Sequence, residues 1–408
     1  MTTLTLTTAT DHPLVASDAT TTRIVEWTVS AAAVAQPTAR APLNLALILD
    51  RSGSMSGDKL RYVQQAAVHV LGQLDERDRV AVVAYDDQIN LLAGSQRMTA
   101  AARQSLKAQI EALRPGGSTD LGGGWLRGCG EIATQITAET LNRALLLTDG
   151  LANHGITDPE ELARHARELR RRGIATSTFG VGLDFNEDLL QALAETGGGH
   201  FFFIERPQHI PDVFRQELGE LLAVVAKETV LNIAIPNGTT VQLLGDLAHE
   251  QNDGGLRVFL GDVGAGEQRM IYARIIAPPD APQSTLVVSA TLSYANLGGH
   301  SEQVTAEAAW SYASGPEVQR VVGDVAVMGR VSEVEMAVAA TQALRLERSG
   351  QRAAASALMQ HSLTAAAPYM PAPAAAAYGK VAEQMEEGMD EETRKRTQFN
   401  AYKKRNSR

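Results

Sequence analysis

The 408-residue sequence has one cysteine, no long apolar run and no excess of positive charge. The single cysteine, Cys129, excludes an intrachain disulfide and a zinc or iron–sulfur site built on cysteines, and it fits a reducing compartment. No window approaches the roughly 20 apolar residues that cross a bilayer. Residues 1–17 also lack the basic and apolar regions of a secretory signal. We therefore expect a cytoplasmic protein without a membrane span.

The formal net charge of −10 argues against nucleic acid as the main partner, because phosphate binding needs a basic surface. A hydrophobic fraction of 44% with 21% charged residues is typical of a globular protein. The length predicts two or three domains. No repeat of 20 to 50 residues is visible, which disfavours a solenoid.

Between Leu43 and Val225, short apolar runs alternate with amphipathic segments. The apolar runs suit strands buried on both faces; they are Leu45–Leu49, Val80–Ala84, Ala144–Leu147 and Ile174–Val181. The amphipathic segments have helical spacing; they are Lys59–Leu74, Ala100–Leu113, Leu121–Ile136, Pro159–Arg171 and Asn186–Glu195. This alternation predicts a doubly wound, Rossmann-like α/β domain over residues 43–225. Its sheet should be parallel, with helices on both faces and ligands at the carboxyl ends of the strands.

The segments on either side of this region are typical of strands. Residues 1–42 contain two stretches that alternate apolar and polar side chains, and residues 226–315 contain six candidate strands with turn signals between them. The six candidates are Thr229–Ile235, Thr239–Leu244, Leu256–Leu260, Arg269–Ile276, Thr285–Tyr294 and Gln303–Trp310. This spacing predicts an antiparallel β-sandwich. We expect the N-terminal strands to complete it, so that the α/β domain is an insertion into the sandwich.

Residues 324–408 are rich in Ala, Glu and Arg and predict a helical C-terminal region. One long helix should end at Arg348, and a second should follow Gly350. Three prolines within residues 365–376 predict a linker there.

Oxygen-bearing side chains follow two of the predicted strands. Asp50, Ser52 and Ser54 lie on one tight loop after the first strand, Thr119 precedes a helix, and Asp149 ends another strand. Because parallel strands end at the same edge of a sheet, these groups can converge. Carboxylates and hydroxyls are ligands for a hard cation, and two nearby carboxylates repel each other unless a cation lies between them.

The DxSxS pattern at residues 50–54, followed by Thr119 and Asp149, resembles the metal-ion-dependent adhesion site of von Willebrand factor A (VWA) domains. The resemblance covers residues 43–225 and fills every position of that motif. It implies that Ser52, Ser54 and Thr119 contact a divalent metal through their hydroxyls. It also implies that Asp50 and Asp149 act directly or through water, and that an acidic side chain of a partner protein completes the coordination. Mg²⁺, Mn²⁺ and Ca²⁺ all suit such ligands.

The expected function is therefore metal-dependent protein binding, as an adaptor or scaffold, and not catalysis. Looser features at residues 179–184 and 197–201 are similar to bacterial cytoplasmic proteins in which a VWA domain is flanked by a β-rich segment and a helical tail. One alternative is a Mg²⁺-dependent phosphohydrolase, but Ser52 stands where such an enzyme needs an acidic general acid. Another is a scaffold in which the metal only stabilises the fold. The sequence does not indicate the oligomeric state or the partner.

Several residues have simpler interpretations. The acidic and hydroxyl loops could cap helices, and Ser118 could replace Thr119 if that loop is shifted by one residue. We predict that Asp120 is a helix cap, that Asp86 and Asp87 are solvated turn residues, that His154 is a surface loop residue and that His200 is structural.

The C-terminal stretch 391–408 is basic, with seven Lys and Arg residues and the aromatic Phe399 and Tyr402 between them. A solvated helix end is the favoured interpretation, and contact with RNA, an anionic membrane or an acidic partner is the alternative. Cys129 is predicted to be a buried, inert thiol because no motif pairs it with a histidine.

Overall fold

The computed structural model describes residues 4–33, 40–252 and 254–406. The chain begins with three strands, β1 (Leu4–Thr10), β2 (Leu14–Ala16) and β3 (Thr21–Ala31). Burial alternates along the first residues of β1, with Leu4 and Leu6 buried and Thr5 and Thr7 exposed. This strand therefore presents one apolar face to a core.

An α/β unit follows these strands. Its elements in chain order are β4 (Leu43–Asp50), α1 (Asp58–Gln73), β5 (Arg79–Tyr85), β6 (Ile89–Arg97), α2 (Ala100–Glu111), α3 (Leu121–Ala133), β7 (Leu141–Thr148), α4 (Pro159–Arg171), β8 (Ile174–Val181), α5 (Glu187–Gly197), β9 (Gly198–Ile204) and α6 (Ile210–Leu222). The strands form one sheet in the order β6-β5-β4-β7-β8-β9. The predicted α/β fold is confirmed.

Every residue of β4 is buried, which explains its unbroken apolar run. Leu45 and Leu47 belong to a core with α1 and α6 on one face of the sheet, and Ala46 and Ile48 belong to a second core with α3, α4 and α5 on the other. Helices therefore cover both faces, as the alternation of strands and helices predicts.

The sheet is mixed and not wholly parallel, which corrects the prediction. β6 pairs antiparallel with β5 at the edge of the sheet, and the other neighbours are parallel. No residue of β6 is fully buried, and its first three residues are exposed. An edge strand of this kind lacks the continuous apolar run of a central strand, so the pattern that identified β4, β5, β7 and β8 misses it.

After α6 the chain returns to strands. They are β10 (Val224–Ala234), β11 (Thr240–Leu244), β12 (His249–Asn252), β13 (Gly255–Gly264), β14 (Gln268–Ala277), β15 (Thr285–Asn296) and β16 (Ser301–Ala313). Together with the N-terminal strands they form a four-stranded sheet, β1-β3-β14-β11, and a six-stranded sheet, β12-β13-β10-β15-β16-β2. Within these sheets only β16 and β2, among the residues that the structure describes, pair in parallel. Both sheets contribute to one apolar cluster, which includes Trp27 and Ile271 from the first and Leu231 and Val288 from the second.

The C-terminal region is helical, with α7 (Gly315–Arg320), α8 (Val325–Arg348), α9 (Arg352–Ala366), α10 (Ala372–Glu387) and α11 (Glu391–Arg405). Gly350 separates α8 from α9 and has φ +81°, which a residue without a side chain adopts readily. The segment 365–376, predicted as a linker, is largely helical and contains the short connection between α9 and α10. It comprises the end of α9, a short 3₁₀ turn and the start of α10, and two of its prolines lie in the first turn of a helix, where the missing N–H costs little. No helix in the described part of the chain is long and apolar enough to span a membrane.

The basic C-terminal helix α11 is packed against the α/β unit and is not a solvated end, contrary to the prediction. Tyr402 packs edge-on against Phe201 of β9, and its hydroxyl accepts a 3.0 Å hydrogen bond from the Phe201 N–H. The buried Lys395 contacts Glu187 at the start of α5. Arg405, also buried, contacts Asp246 beyond β11. These ion pairs neutralise the positive charges of Lys395 and Arg405, which the sequence alone would place in solvent.

Candidate metal centre

The candidate centre lies where β4 and β7 end side by side. These strands pair in parallel register, with Leu49 opposite Leu147, so the residues that follow them share one edge of the sheet. Both carboxylate oxygens of Asp50 are hydrogen-bonded: Oδ1 accepts from the Ser52 N–H at 2.8 Å and Oδ2 from the Thr148 hydroxyl at 2.6 Å. The Asp50 side chain is therefore held in one orientation.

The serines of the first loop reach the second strand end. The Ser54 hydroxyl donates to Asp149 Oδ1 at 2.7 Å, and Ser52 Oγ lies 3.2 Å from Ser54 Oγ. Asp50 and Asp149 are fully buried, whereas Ser54 is exposed. The group thus has buried carboxylates at its base and an exposed hydroxyl at its mouth.

Thr119 borders the same group from a third loop. A methyl group placed on Gly150 would lie 3.8 Å from Thr119 Oγ1 and 3.6 Å from Ser54 Oγ, so both hydroxyls face this backbone position. The Thr119 N–H donates to Asn153 Oδ1 at 2.9 Å, which ties its loop to the one after β7. Thr119 is buried and the neighbouring Ser118 is exposed, which favours Thr119 as the inward-facing residue. The structure therefore joins Asp50, Ser52, Ser54 and Asp149 in one hydrogen-bonded group and places the Thr119 hydroxyl at its border.

Lys59, which the sequence reasoning missed, also belongs to this group. Its ammonium group contacts Asp149 Oδ2 from the first turn of α1. Lysine is not a metal ligand under ordinary conditions, so a search for ligand types passes over it. The one feature of the sequence that points to Lys59 is its position just after the loop that contains Asp50. The contact gives one of the two buried carboxylates a cationic partner.

Asp86 connects the loops beneath the centre, and its prediction as a solvated turn residue is wrong. It is 3% exposed, and its Oδ2 lies 2.9 Å from an Arg51 guanidinium nitrogen. The same oxygen accepts from the Gly117 N–H at 3.2 Å. A side chain on Gly116 would place its Cβ 1.7 Å from Asp86 Oδ2, so this close approach requires glycine there. Asp86 thus fixes the loop after β4 against the loop before α3.

The electrostatics of the centre follow from burial. Burial raises the pKa of Asp50 to about 6, the negative charge of Asp149 adds to the increase, and hydrogen bonds from Ser52 and Thr148 oppose it. A cation among these groups would relieve the cost of two ionised, buried carboxylates. Two carboxylates and three hydroxyls are oxygen donors only, and this set fits a hard divalent cation.

Other residues singled out in the sequence have structural roles. Asp120 caps α3 by accepting the Gly123 N–H at 2.9 Å, as predicted. His154 is exposed, with Nδ1 3.8 Å from Asp120 Oδ2. Cys129 is buried in α3, and burial raises the pKa of its thiol to about 12, so it stays protonated and unreactive at neutral pH.

Comparison with known proteins agrees with the geometry. Residues 44–216 match the von Willebrand factor type A domain family. The protein YfbK of Escherichia coli K12 is 28% identical over 293 residues, which cover 68% of this chain and 49% of that protein. The chain thus spans about half the length of this curated relative.

Two solved structures share the fold. A von Willebrand factor type A protein from Catenulispora acidiphila superposes with a TM-score of 0.75 at 19% identity, over 89% of this chain and 86% of that one. The ArnB paralog VWA2 from Sulfolobus acidocaldarius superposes with a TM-score of 0.65 at 17% identity, over 98% of both chains. The α/β unit described above, over residues 44–216, is a von Willebrand factor type A domain.

Proposed function

We propose that this VWA domain binds a protein partner through a divalent cation held by Asp50, Ser52, Ser54, Thr119 and Asp149. The observation that carries the proposal is the meeting of these oxygen donors at one strand edge, with both carboxylates buried and one hydroxyl exposed. VWA domains often mediate protein–protein interaction, which supports a binding role for this edge.

The residues around the cation would have separate roles in holding it. Thr148 and the Ser52 N–H hold the Asp50 carboxylate, and Ser54 holds that of Asp149, so both are oriented before a cation arrives. When bound, the cation supplies a coordination position that an acidic side chain of the partner can fill. Lys59 contacts Asp149 and lowers the repulsion between the two carboxylates. Mg²⁺, Mn²⁺ and Ca²⁺ all suit this donor set.

A capture experiment with a matched pair of variants tests this function. Asp50→Asn removes a buried carboxylate of the centre, and Asp87→Asn removes an exposed carboxylate just after the neighbouring strand β5. Immobilised wild-type protein should retain a defined set of proteins from a native extract in Mg²⁺ and release them in EDTA. The Asp87→Asn protein should behave like wild type, and the Asp50→Asn protein should retain none of that set. Capture that is equal in Mg²⁺ and EDTA would contradict the proposal.

We propose a binding module and not an enzyme. Ser52 lies two residues after Asp50, at the position where a phosphohydrolase of this general fold would need a carboxylic general acid, and a serine hydroxyl does not serve as one at neutral pH. Generic phosphate esters with Mg²⁺ should therefore show no turnover. If the cation only stabilised the fold, its removal would lower the melting temperature and leave partner capture intact.

We further propose that the two flanking sheets form one β-sandwich, antiparallel except for the β16–β2 pair, into which the VWA domain is inserted, in a cytoplasmic protein. The pairing of β3 with β14 supports this arrangement, because it joins strands from before and after the VWA domain. A single apolar cluster with residues from both sheets also supports it.

A further inference from the structure

A second group of potential metal ligands lies between β9 and α6. His200 Nδ1 lies 2.7 Å from Glu217 Oε2 and 3.1 Å from Glu220 Oε2. One ligand atom from each of these three residues lies within 4.8 Å of the others. No residue of this group belongs to the proposed adhesion site. Phe203 of β9 is level with the end of β7, which Asp149 follows. His200 lies three residues before Phe203 and is therefore set back from that edge of the sheet.

One imidazole nitrogen faces two carboxylates in this group. The other oxygens of the carboxylates already have partners: Glu217 Oε1 accepts from the Ser177 hydroxyl at 2.6 Å, and Glu220 Oε1 accepts from Gln216 Nε2 at 2.9 Å. Both remaining oxygens therefore point at His200 Nδ1. A proton on that nitrogen points well at only one of them. A cation in place of the proton would contact the nitrogen and both oxygens together.

The charge of the group also favours a dication. Glu217 is fully buried, and a buried carboxylate needs a cationic partner. Arg143 lies 3.0 Å from Asp262 of β13, so its charge is balanced by that carboxylate. The two glutamate carboxylates that face His200 would give a divalent ion two anionic ligands.

We propose that His200, Glu217 and Glu220 form a second metal site, for a first-row divalent ion of the Zn²⁺ type. An imidazole nitrogen with carboxylate oxygens is a donor set for Zn²⁺, whose bonds to such ligands are about 2.0–2.2 Å long. Ligand atoms around a tetrahedral ion with such bonds are about 3.3–3.6 Å apart, so the 2.7 and 3.1 Å separations present would have to widen by less than about 1 Å.

The site would keep a position open to solvent and would join two elements. The Glu220 side chain is 44% exposed and that of His200 17% exposed, so an ion can enter from solvent. Three protein ligands leave a further coordination position for water or a small anion. Because His200 belongs to β9 and both glutamates to α6, the ion would also fasten α6 to the edge of the sheet.

Zn²⁺ titration of the full chain tests this site. Metal-free protein is titrated against a chromophoric zinc chelator in millimolar Mg²⁺, which occupies the oxygen-only adhesion site. We expect one tight Zn²⁺ equivalent in the wild type. Glu220→Gln should weaken it by at least about tenfold, since even residues outside the ligand set change metal affinity by 10–100-fold. Glu220 is exposed enough for this substitution to leave folding intact, and His200→Ala should have an effect at least as large.

Two controls separate this site from other zinc binding. His165→Ala removes a histidine of α4 that lies 3.9 Å from Glu161, a surface pair of similar composition, and should leave the titration unchanged. Asp50→Asn should also leave it unchanged. The proposal is overturned if the wild type binds no tight Zn²⁺, if Glu220→Gln binds it as the wild type does, or if Asp50→Asn is the variant that loses it. In Co²⁺-loaded protein, the visible absorption of the ion should disappear in His200→Ala.

Discussion

The stability of the metal-free protein should fall as Asp50 ionises. Burial and the Asp149 charge raise the pKa of this carboxyl from its ordinary 3.8 to about 6 in the folded protein. The folded state then binds a proton more tightly than the unfolded chain does. The resulting stabilisation is fully present below pH 3.8 and is lost as the pH rises through 6.

The size of the effect follows from the shift. One pKa unit corresponds to about 1.4 kcal/mol, so a shift of this size is worth up to about 3 kcal/mol in total. Because part of this stabilisation is already lost at pH 4.5, we expect the free energy of unfolding to fall by about 2 kcal/mol between pH 4.5 and 7.5. A divalent cation should restore this stability at pH 7.5, since it binds the ionised form.

Urea unfolding of wild type and Asp50→Asn across this pH range, in EDTA and in Mg²⁺, measures the effect. Asparagine has nearly the same shape and does not titrate, so the difference between the two proteins isolates Asp50 from other groups. In EDTA the wild type should lose stability relative to the variant as the pH rises. At pH 7.5, Mg²⁺ should stabilise the wild type and not the variant. Parallel pH profiles in EDTA, or equal stabilisation by Mg²⁺, would refute the reasoning.

Packing at α3 and α11 gives two further predictions. Gly128→Ala should destabilise the protein by about 1–3 kcal/mol, because its Cβ would lie 2.6 Å from a carbon of the buried Ile48. Gly130→Ala on the same helix, where the Cβ would meet nothing within 4 Å, should be neutral or stabilise the protein by up to about 1 kcal/mol. Chemical denaturation of both variants measures this difference in stability. Equal effects of the two substitutions would contradict the prediction. Tyr402→Phe should cost about 1–2 kcal/mol, because the Phe201 N–H loses its 3.0 Å acceptor. An unchanged denaturation midpoint in that variant would show that this contact does not stabilise α11.

The sequence predicts the centre of the sheet well because burial on both faces imposes an apolar run. β4 is buried along its whole length, and its run Leu45–Leu49 is visible without any structure. The site is predictable for a related reason. Its loop residues come directly after strands whose parallel pairing brings Asp50 and Asp149 to one edge.

What the sequence does not predict depends on contacts between distant residues. Asp86 looks like a turn residue until Arg51 of the neighbouring loop is placed 2.9 Å away. Lys395 and Arg405 look like solvated charges until Glu187 and Asp246 are placed beside them. No local pattern carries these pairings, because each partner lies on a different element and burial follows only from the complete fold.

A crystal soaked in Mn²⁺ tests the central claim most directly, because manganese is an oxygen-preferring divalent ion that anomalous scattering identifies. We expect an anomalous peak among Ser52, Ser54 and Thr119, with Asp50 and Asp149 in direct or water-mediated contact and Lys59 displaced from Asp149. A well-resolved map with no peak there, and with Lys59 still on Asp149, would contradict it.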